Sequence, residues 1–217
     1  MAIVRLASGA ALGLALAGCN MVVSDQPWFE RNAASPVIKS GIWGAADKED
    51  CTFDSSAPLS EWPECSEPAI IDAQGNFNSR DKTSGDWRSI TAVVGGGDPM
   101  ILQFALPQEM VSQAPGAPSY LYFALRPLAR DADGRITDMR IWSVMCGPLA
   151  EGAEQSGDPK AMVTKQPFAG LTLKDGNCQA KDIPALTGAA ARSEALQDKT
   201  GHGHWIRDAR PEEMPAG

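Results

Sequence analysis

The two histidines of the 217-residue chain lie two apart, in His202-Gly203-His204. Side chains at that spacing share one face of an extended strand, so the pair offers two nitrogen donors for a metal. A zinc site takes three or four ligands, and Gly201 and Gly203 loosen the segment, so the expectation is an exposed Gly-His turn. Sulfur is the other reactive element. Cys51, Cys65, Cys146 and Cys178 form an even set, which in an exported protein reads as disulfides with three possible connectivities. Nearer partners enclose shorter loops, which favours Cys51–Cys65 and Cys146–Cys178. Each bridge stabilises by about 2–4 kcal/mol through the unfolded chain. Zinc would call for close C-x₂₋₄-C pairs, and these spacings are far wider. Cys146 and Cys178 would be nucleophiles only if reduced.

Other spacings imitate known sites and fail on chemistry. Ser79-Arg80-Asp81-Lys82 and Lys199-Thr200-Gly201 resemble two of the three motifs of penicillin-binding proteins and class A β-lactamases. That chemistry needs the serine to open a buried helix, whereas Asn78 to Gly85 is polar and turn-prone, and the S-x-N element is missing. Asp131, Asp133 and Gly134 imitate the middle of an EF-hand loop. In that register Ala129 and Arg140 fall where the first ligand and the bidentate Glu belong, so the segment reads as a hairpin turn. Gly95-Gly96-Gly97 lacks the lysine and helix of a phosphate cradle. Asp47, Glu49 and Asp50 cluster on a surface-like stretch with nothing to pair them as acid and base. No catalytic residue, cofactor or metal is expected.

The elements around these residues read as strands. Lys39 to Gly44 opens the domain, Cys51 to Cys65 is a compact disulfide-closed loop with Pro58, Trp62 and Pro63, and Pro68 to Asp72 is a short strand. Asp72 to Gly85 is polar and expected as surface turns. Trp87 to Val94 and Met100 to Leu106 are β-prone around the Gly95–Pro99 turn; in the second, Met100, Leu102, Phe104 and Leu106 share a face. Pro107 to Ser119 reads as loop. Tyr120 to Leu128, with Leu121, Phe123 and Leu125 aligned, and Arg135 to Cys146 flank the Asp131–Gly134 turn, a strong hairpin cue. These four strands predict an antiparallel meander. Gly147 to Lys160 is loop and Phe168 to Lys174 a short strand ending at Asp175-Gly176. Asp182 is an N-cap with Pro184 in the first turn, and Ile183, Leu186, Ala190 and Leu196 recur at helical spacing. A last strand surrounds Trp205. Six tryptophans, at 28, 43, 62, 87, 142 and 205, either line a groove or, more commonly, pack the core.

The N-terminus carries its own pattern: Arg5, an apolar and small-residue run from Leu6 to Gly18, then Cys19. This is the plan of a secretory signal, and the run is too short to span a bilayer as a helix. Leu16-Ala17-Gly18-Cys19 resembles the lipobox of bacterial lipoproteins. The resemblance implies cleavage before Cys19, diacylglyceryl on its thiol and an acyl group, such as palmitate, on its new amine. Several chains act together, since each buried methylene adds about 0.8 kcal/mol. Asn20 in place of Asp leans toward the outer membrane. The expected layout is a signal peptide over 1–18, a lipidated tether over 19–36, a single β-rich domain over 37–207 and a flexible tail over 208–217. Within the tether, Trp28 and Phe29 are expected to dock on the domain.

After removal of the signal, whose only charge is Arg5, 18 basic and 27 acidic side chains remain, a net of −9. Such a surface repels phosphate backbones, so nucleic acid is excluded as a partner. The fold class is mostly β: an antiparallel meander closing, fully or partly, into a barrel that removes exposed edges, with one C-terminal helix. Lys39-x-Gly41-x-Trp43 resembles the G-x-W opening of lipocalin-type and related inhibitor barrels, which implies a barrel but brings no ligand or catalytic residue. The functional expectation is a non-catalytic module of the cell envelope, anchored to the outer membrane and facing the periplasm, whose partners are the membrane and a small ligand or an envelope protein. The alternatives are an inhibitor of periplasmic hydrolases using the Cys51–Cys65 loop as bait, and an envelope hydrolase using His202 and His204.

Overall fold

The computed structural model describes residues 20–45, 51–81, 85–113, 116–153, 161–197 and 200–215. Alternating apolar residues shape its centre, an antiparallel meander of seven strands: β2 (Gly41–Ala45), β3 (Ala69–Ile71), β4 (Asn76–Arg80), β5 (Trp87–Gly95), β6 (Met100–Ala105), β7 (Tyr120–Arg130) and β8 (Ile136–Ser143). The last strand, β11 (Gly201–Arg207), inserts antiparallel between β8 and β2 and closes an eight-stranded barrel. β7 and β8 meet at the Asp131–Gly134 turn, where Gly134 takes φ +79°. Pro127 is tolerated within β7 because it borders an irregularity in the register with β8.

Period-two alternation sends one face of each strand inward. Met100, Leu102 and Phe104 of β6 and Phe123 and Leu125 of β7 join Trp43, Ile71, Phe77, Ala92, Val94, Met139 and Trp205 inside the ring. Phe77, Phe104 and Phe123 pack edge to face, with centroids 5.1 and 5.4 Å apart, a geometry favoured by the ring quadrupole. Gly41 sits at φ +129°, and a Cβ there would stand 2.5 Å from the Arg207 carbonyl oxygen. The G-x-W opening therefore needs its glycine where β2 meets the closing strand.

Between β8 and β11 the chain leaves the ring and returns along its outside. This excursion holds the hairpin of β9 (Leu171–Lys174) and β10 (Asn177–Ala180) and the helix α2 (Ile183–Glu194). The Asp182 side chain caps α2 by accepting from the Ala185 amide at 2.8 Å. Leu186, Ala189 and Ala190 pack on the outward residues Ile101, Tyr122, Ala124 and Trp142, and the Cys146–Cys178 disulfide ties hairpin to barrel. A third apolar cluster (Ile42, Trp62 and Ile70, with Phe53 and Ile206) lies under the Cys51–Cys65 loop on the outer face of β2, β3 and β11.

Several expectations need correction. Asn76–Arg80 is a strand, not surface turns, and the loop after β6 contains a short helix, α1 (Gln108–Gln113), besides α2. Residues from Asn20 onward are not a tether. β1 (Val23–Ser24) pairs with the first residues of β7, and Met21 bridges Met145. The buried Gln103 side chain then accepts from the Trp28 and Phe29 amides at 2.7 and 3.0 Å and donates to the Phe29 carbonyl at 2.9 Å. The aromatic pair docks on the outer core, and Arg31 donates to the carbonyls of Gln74 and Ala92. Residues 208–215 are not a frayed tail either, because Glu213 is buried.

Replacing Gln103 by Leu leaves the two docked amides without an acceptor, each costing about 1–3 kcal/mol when buried. The expected result in urea unfolding is a loss of about 2–3 kcal/mol, together with rapid exchange of the Trp28 and Phe29 amides; unchanged stability would show that this segment does not depend on the Gln103 amide.

Candidate functional site

The two histidines project from the outer face of β11, in mid-strand rather than in a loose turn, because β11 is paired on both edges. His202 lies opposite Arg140 and His204 opposite Asp138. The His202 Nε2 and Asp138 Oδ1 atoms are 2.7 Å apart. His204 lines a cavity of about 210 Å³ with Gly44, Phe53, Ser66, Ile206 and the Cys51–Cys65 pair. Its Nδ1 is buried and has no hydrogen-bond partner. The histidines therefore face different surroundings, one in hydrogen-bond contact with the Asp138 carboxylate and the other a wall of a cavity under the disulfide loop. Among the described residues, no group of three or more His, Cys, Asp and Glu side chains gathers as metal ligands.

The disulfide loop is held as one rigid piece. The Trp62 indole is buried beneath it and donates to the Ala57 carbonyl at 3.0 Å, and Phe53 packs against the Trp62 ring. From the other end of the chain, Arg207 donates to the Ser55 and Ala57 carbonyls at 2.8 and 3.0 Å. Glu213 receives the Arg207 guanidinium on both carboxylate oxygens, at 2.7 and 2.8 Å, and accepts from the Leu59 and Arg210 amides. Hydrogen bonding to Arg207 outweighs burial and, with the two amides, pulls the Glu213 carboxyl down to about 2. Above this latch, Asp54, Ser55 and Ser56 are exposed, held by an Asx turn in which Asp54 accepts from the Ser56 amide at 2.8 Å.

The other residues singled out in the sequence are scattered. Ser79 lies on β4 opposite Arg88, three strands away from Thr200 and Gly201 at the start of β11. An exposed serine in a barrel strand is not a helix-opening nucleophile, and Lys82 and Lys199 lie outside the described residues. Asp131 accepts from the Asp133 and Arg135 amides and pairs with Arg135 at 2.8 Å, as a turn residue does. Residues 1–19, over which a signal peptide and a lipidated Cys19 are expected, and Asp47, Glu49 and Asp50 also lie outside the described residues. The buried tryptophans pack, and each satisfies its indole N–H on a backbone carbonyl: Trp43 on Lys39, Trp62 on Ala57, Trp142 on Ala190, and the half-buried Trp205 on Ser40. The sequence did not point to Asp138, Gln103 or Glu213, and it singled out Asn20 as a sorting residue without showing that its side chain is buried. Asp138 was detectable only through its alternation with Arg140 on one face of β8.

The geometry defines a class: an eight-stranded antiparallel β-barrel with a helix and a hairpin on one outer face and a disulfide-closed loop on another. No family model, curated protein or solved structure matches the chain.

The Glu213 latch sets an acid dependence. An unfolded Glu titrates near about 4.3, so the depressed carboxyl contributes stability that is full above about pH 5 and declines as the pH falls toward 2. The contribution is on the order of 2–3 kcal/mol. Glu213→Gln is expected to lose it at neutral pH and to flatten the decline of unfolding free energy between about pH 5 and pH 2; parallel wild-type and variant pH profiles would refute the latch.

Proposed function

We propose that the chain is a lipid-anchored protein of the bacterial cell envelope, held at the outer membrane and facing the periplasm, which acts by binding through its outer surface and not by catalysis. The observation that carries the outer-surface part of this reading is the ring interior occupied by aromatic side chains. Phe77, Phe104, Phe123, Trp43, Trp205 and Leu102 meet there, and the cavity beside His204 lies outside the ring. An eight-stranded ring is just wide enough for side chains to fill it or to hold one small ligand; here aromatic side chains occupy the space, which favours contacts with a partner on the outer faces and loops. The lipobox resemblance and the oxidised cysteine pairs support the anchored, exported half.

One observation favours a second reading within this frame, an inhibitor of periplasmic hydrolases such as lysozymes or proteases. The Cys51–Cys65 loop is cross-linked, pinned by Arg207 and Glu213, and exposed at Asp54–Ser56. A loop already ordered before binding avoids much of the entropy cost of association. Inhibition in a lysozyme or protease assay that vanishes when Cys51 and Cys65 are both replaced by serine is the expected sign; activity unaffected by the intact protein removes this reading.

For the anchor, wild-type protein is expected in the membrane fraction with an acylated Cys19 terminus by mass spectrometry, and Cys19→Ser in the soluble fraction. An unmodified terminus overturns it. For the outer-surface reading, a fluorescent apolar probe is expected to show no saturable binding. One-to-one binding that weakens on replacing Phe104 or Leu102 would put the ligand inside the ring instead.

A further inference from the structure

We infer that the loop cluster around Gly147 and Thr164 lies against the headgroups of the bilayer that holds the anchor, an inference that rests on acylation of Cys19. The argument begins with Asn20, which is 3% exposed. Its carbonyl accepts from the Cys146 amide at 2.8 Å and its side-chain amide donates to the Gly147 carbonyl at 2.5 Å. Two residues on, the Val22 amide donates to Val144 at 2.7 Å. Consecutive Cα atoms are about 3.8 Å apart, so the lipid-bearing residue is joined directly to a fixed point of the fold. Had residues 20–36 formed a flexible leash, their end-to-end span would average roughly 20–25 Å. With no such leash, whatever surrounds Asn20 sits at the depth where the glyceryl group enters the membrane.

Two segments surround it, pinned to each other. The Thr164 hydroxyl donates to the Pro148 carbonyl at 2.6 Å, and the Phe168 amide donates to the Cys146 carbonyl at 2.7 Å. From 145 to 169 the sequence holds three acids, Glu151, Glu154 and Asp158, and two bases, Lys160 and Lys165. The partly or fully exposed residues of 145–153 and 161–169 include Pro148, Leu149, Met162, Val163 and Pro167. Partly exposed apolar side chains beside the anchoring residue suit the interfacial region of a zwitterionic phospholipid surface. The strand order adds direction. β3, under the disulfide loop, stands four strands from β7, on which the excursion packs, so the Cys51–Cys65 loop faces away from the bilayer.

The test uses the mature, lipidated full chain in vesicles of phosphatidylcholine and phosphatidylethanolamine. It is compared with a form carrying about twelve Gly and Ser residues between Cys19 and Asn20, which restores a leash. Mass spectrometry first establishes acylation of both; an unacylated Cys19 overturns the anchor and this inference together. With both acylated, hydrogen exchange of amides in 147–153 and 161–169 is expected to be roughly fivefold slower in the native form than in the spacer form. Amides in 52–62 are expected to exchange equally in the two. Equal exchange at 147–153 and 161–169 overturns the inference while leaving the anchor standing.

Discussion

Eight strands bend into a ring whose bore is about as wide as two facing layers of side chains, and in this protein that bore is occupied by aromatic and branched residues. The rest of the molecule follows from that packing. Because Phe77, Phe104 and Phe123 meet edge to face across β4, β6 and β7, the inward register of those strands is fixed, and a slip by one residue would turn the aromatic rings outward. The outward residues of the same strands then need cover of their own. Ile101, Tyr122, Ala124 and Trp142 find it beneath α2 and the β9–β10 hairpin, and Ile42 and Ile70 beneath the disulfide loop. The barrel is thus the middle layer of three, with apolar clusters inside it and on two of its outer faces.

Polar side chains hold the outer layers where apolar contact alone would leave them free to slide. Glu194 on α2 receives Arg126 at 3.0 Å and Arg140 at 3.3 Å, and the Ser193 hydroxyl accepts from the Met145 amide at 2.8 Å. The Tyr122 hydroxyl, pushed up to about 12 by burial, stays protonated and lies 2.6 Å from Ser24, which secures β1. These contacts suit a molecule whose outer loops keep fixed positions.

The parts legible in the sequence were those written in apolar alternation or in covalent chemistry. β6 and β7 alternate cleanly, α2 carries both a cap and a helical stripe, and loop length was enough to pair the four cysteines. β4 was missed because Asn76-Phe77-Asn78-Ser79-Arg80 offers a single apolar residue. Its buried Asn78 is satisfied by the Ile70 carbonyl at 3.2 Å across the β3–β4 pair, a contact that apolar alternation does not signal. The N-terminal stretch and the C-terminal residues looked like solvated ends for the same reason: they are held by Gln103 and Glu213, polar residues whose partners lie 74 and 154 positions away. The histidines were read as a loose turn because glycine lowers strand propensity locally, whereas pairing on both edges of β11 overrides it.

The strand that completes the ring occupies residues 201–207 of 217. Until those residues are available, β8 and β2 each expose a row of unpaired backbone groups, and an open strand edge is a template for another chain. Assembly of this protein is therefore a race in which β11 must reach its slot before a neighbour does, and crowding of nascent copies would tell against it.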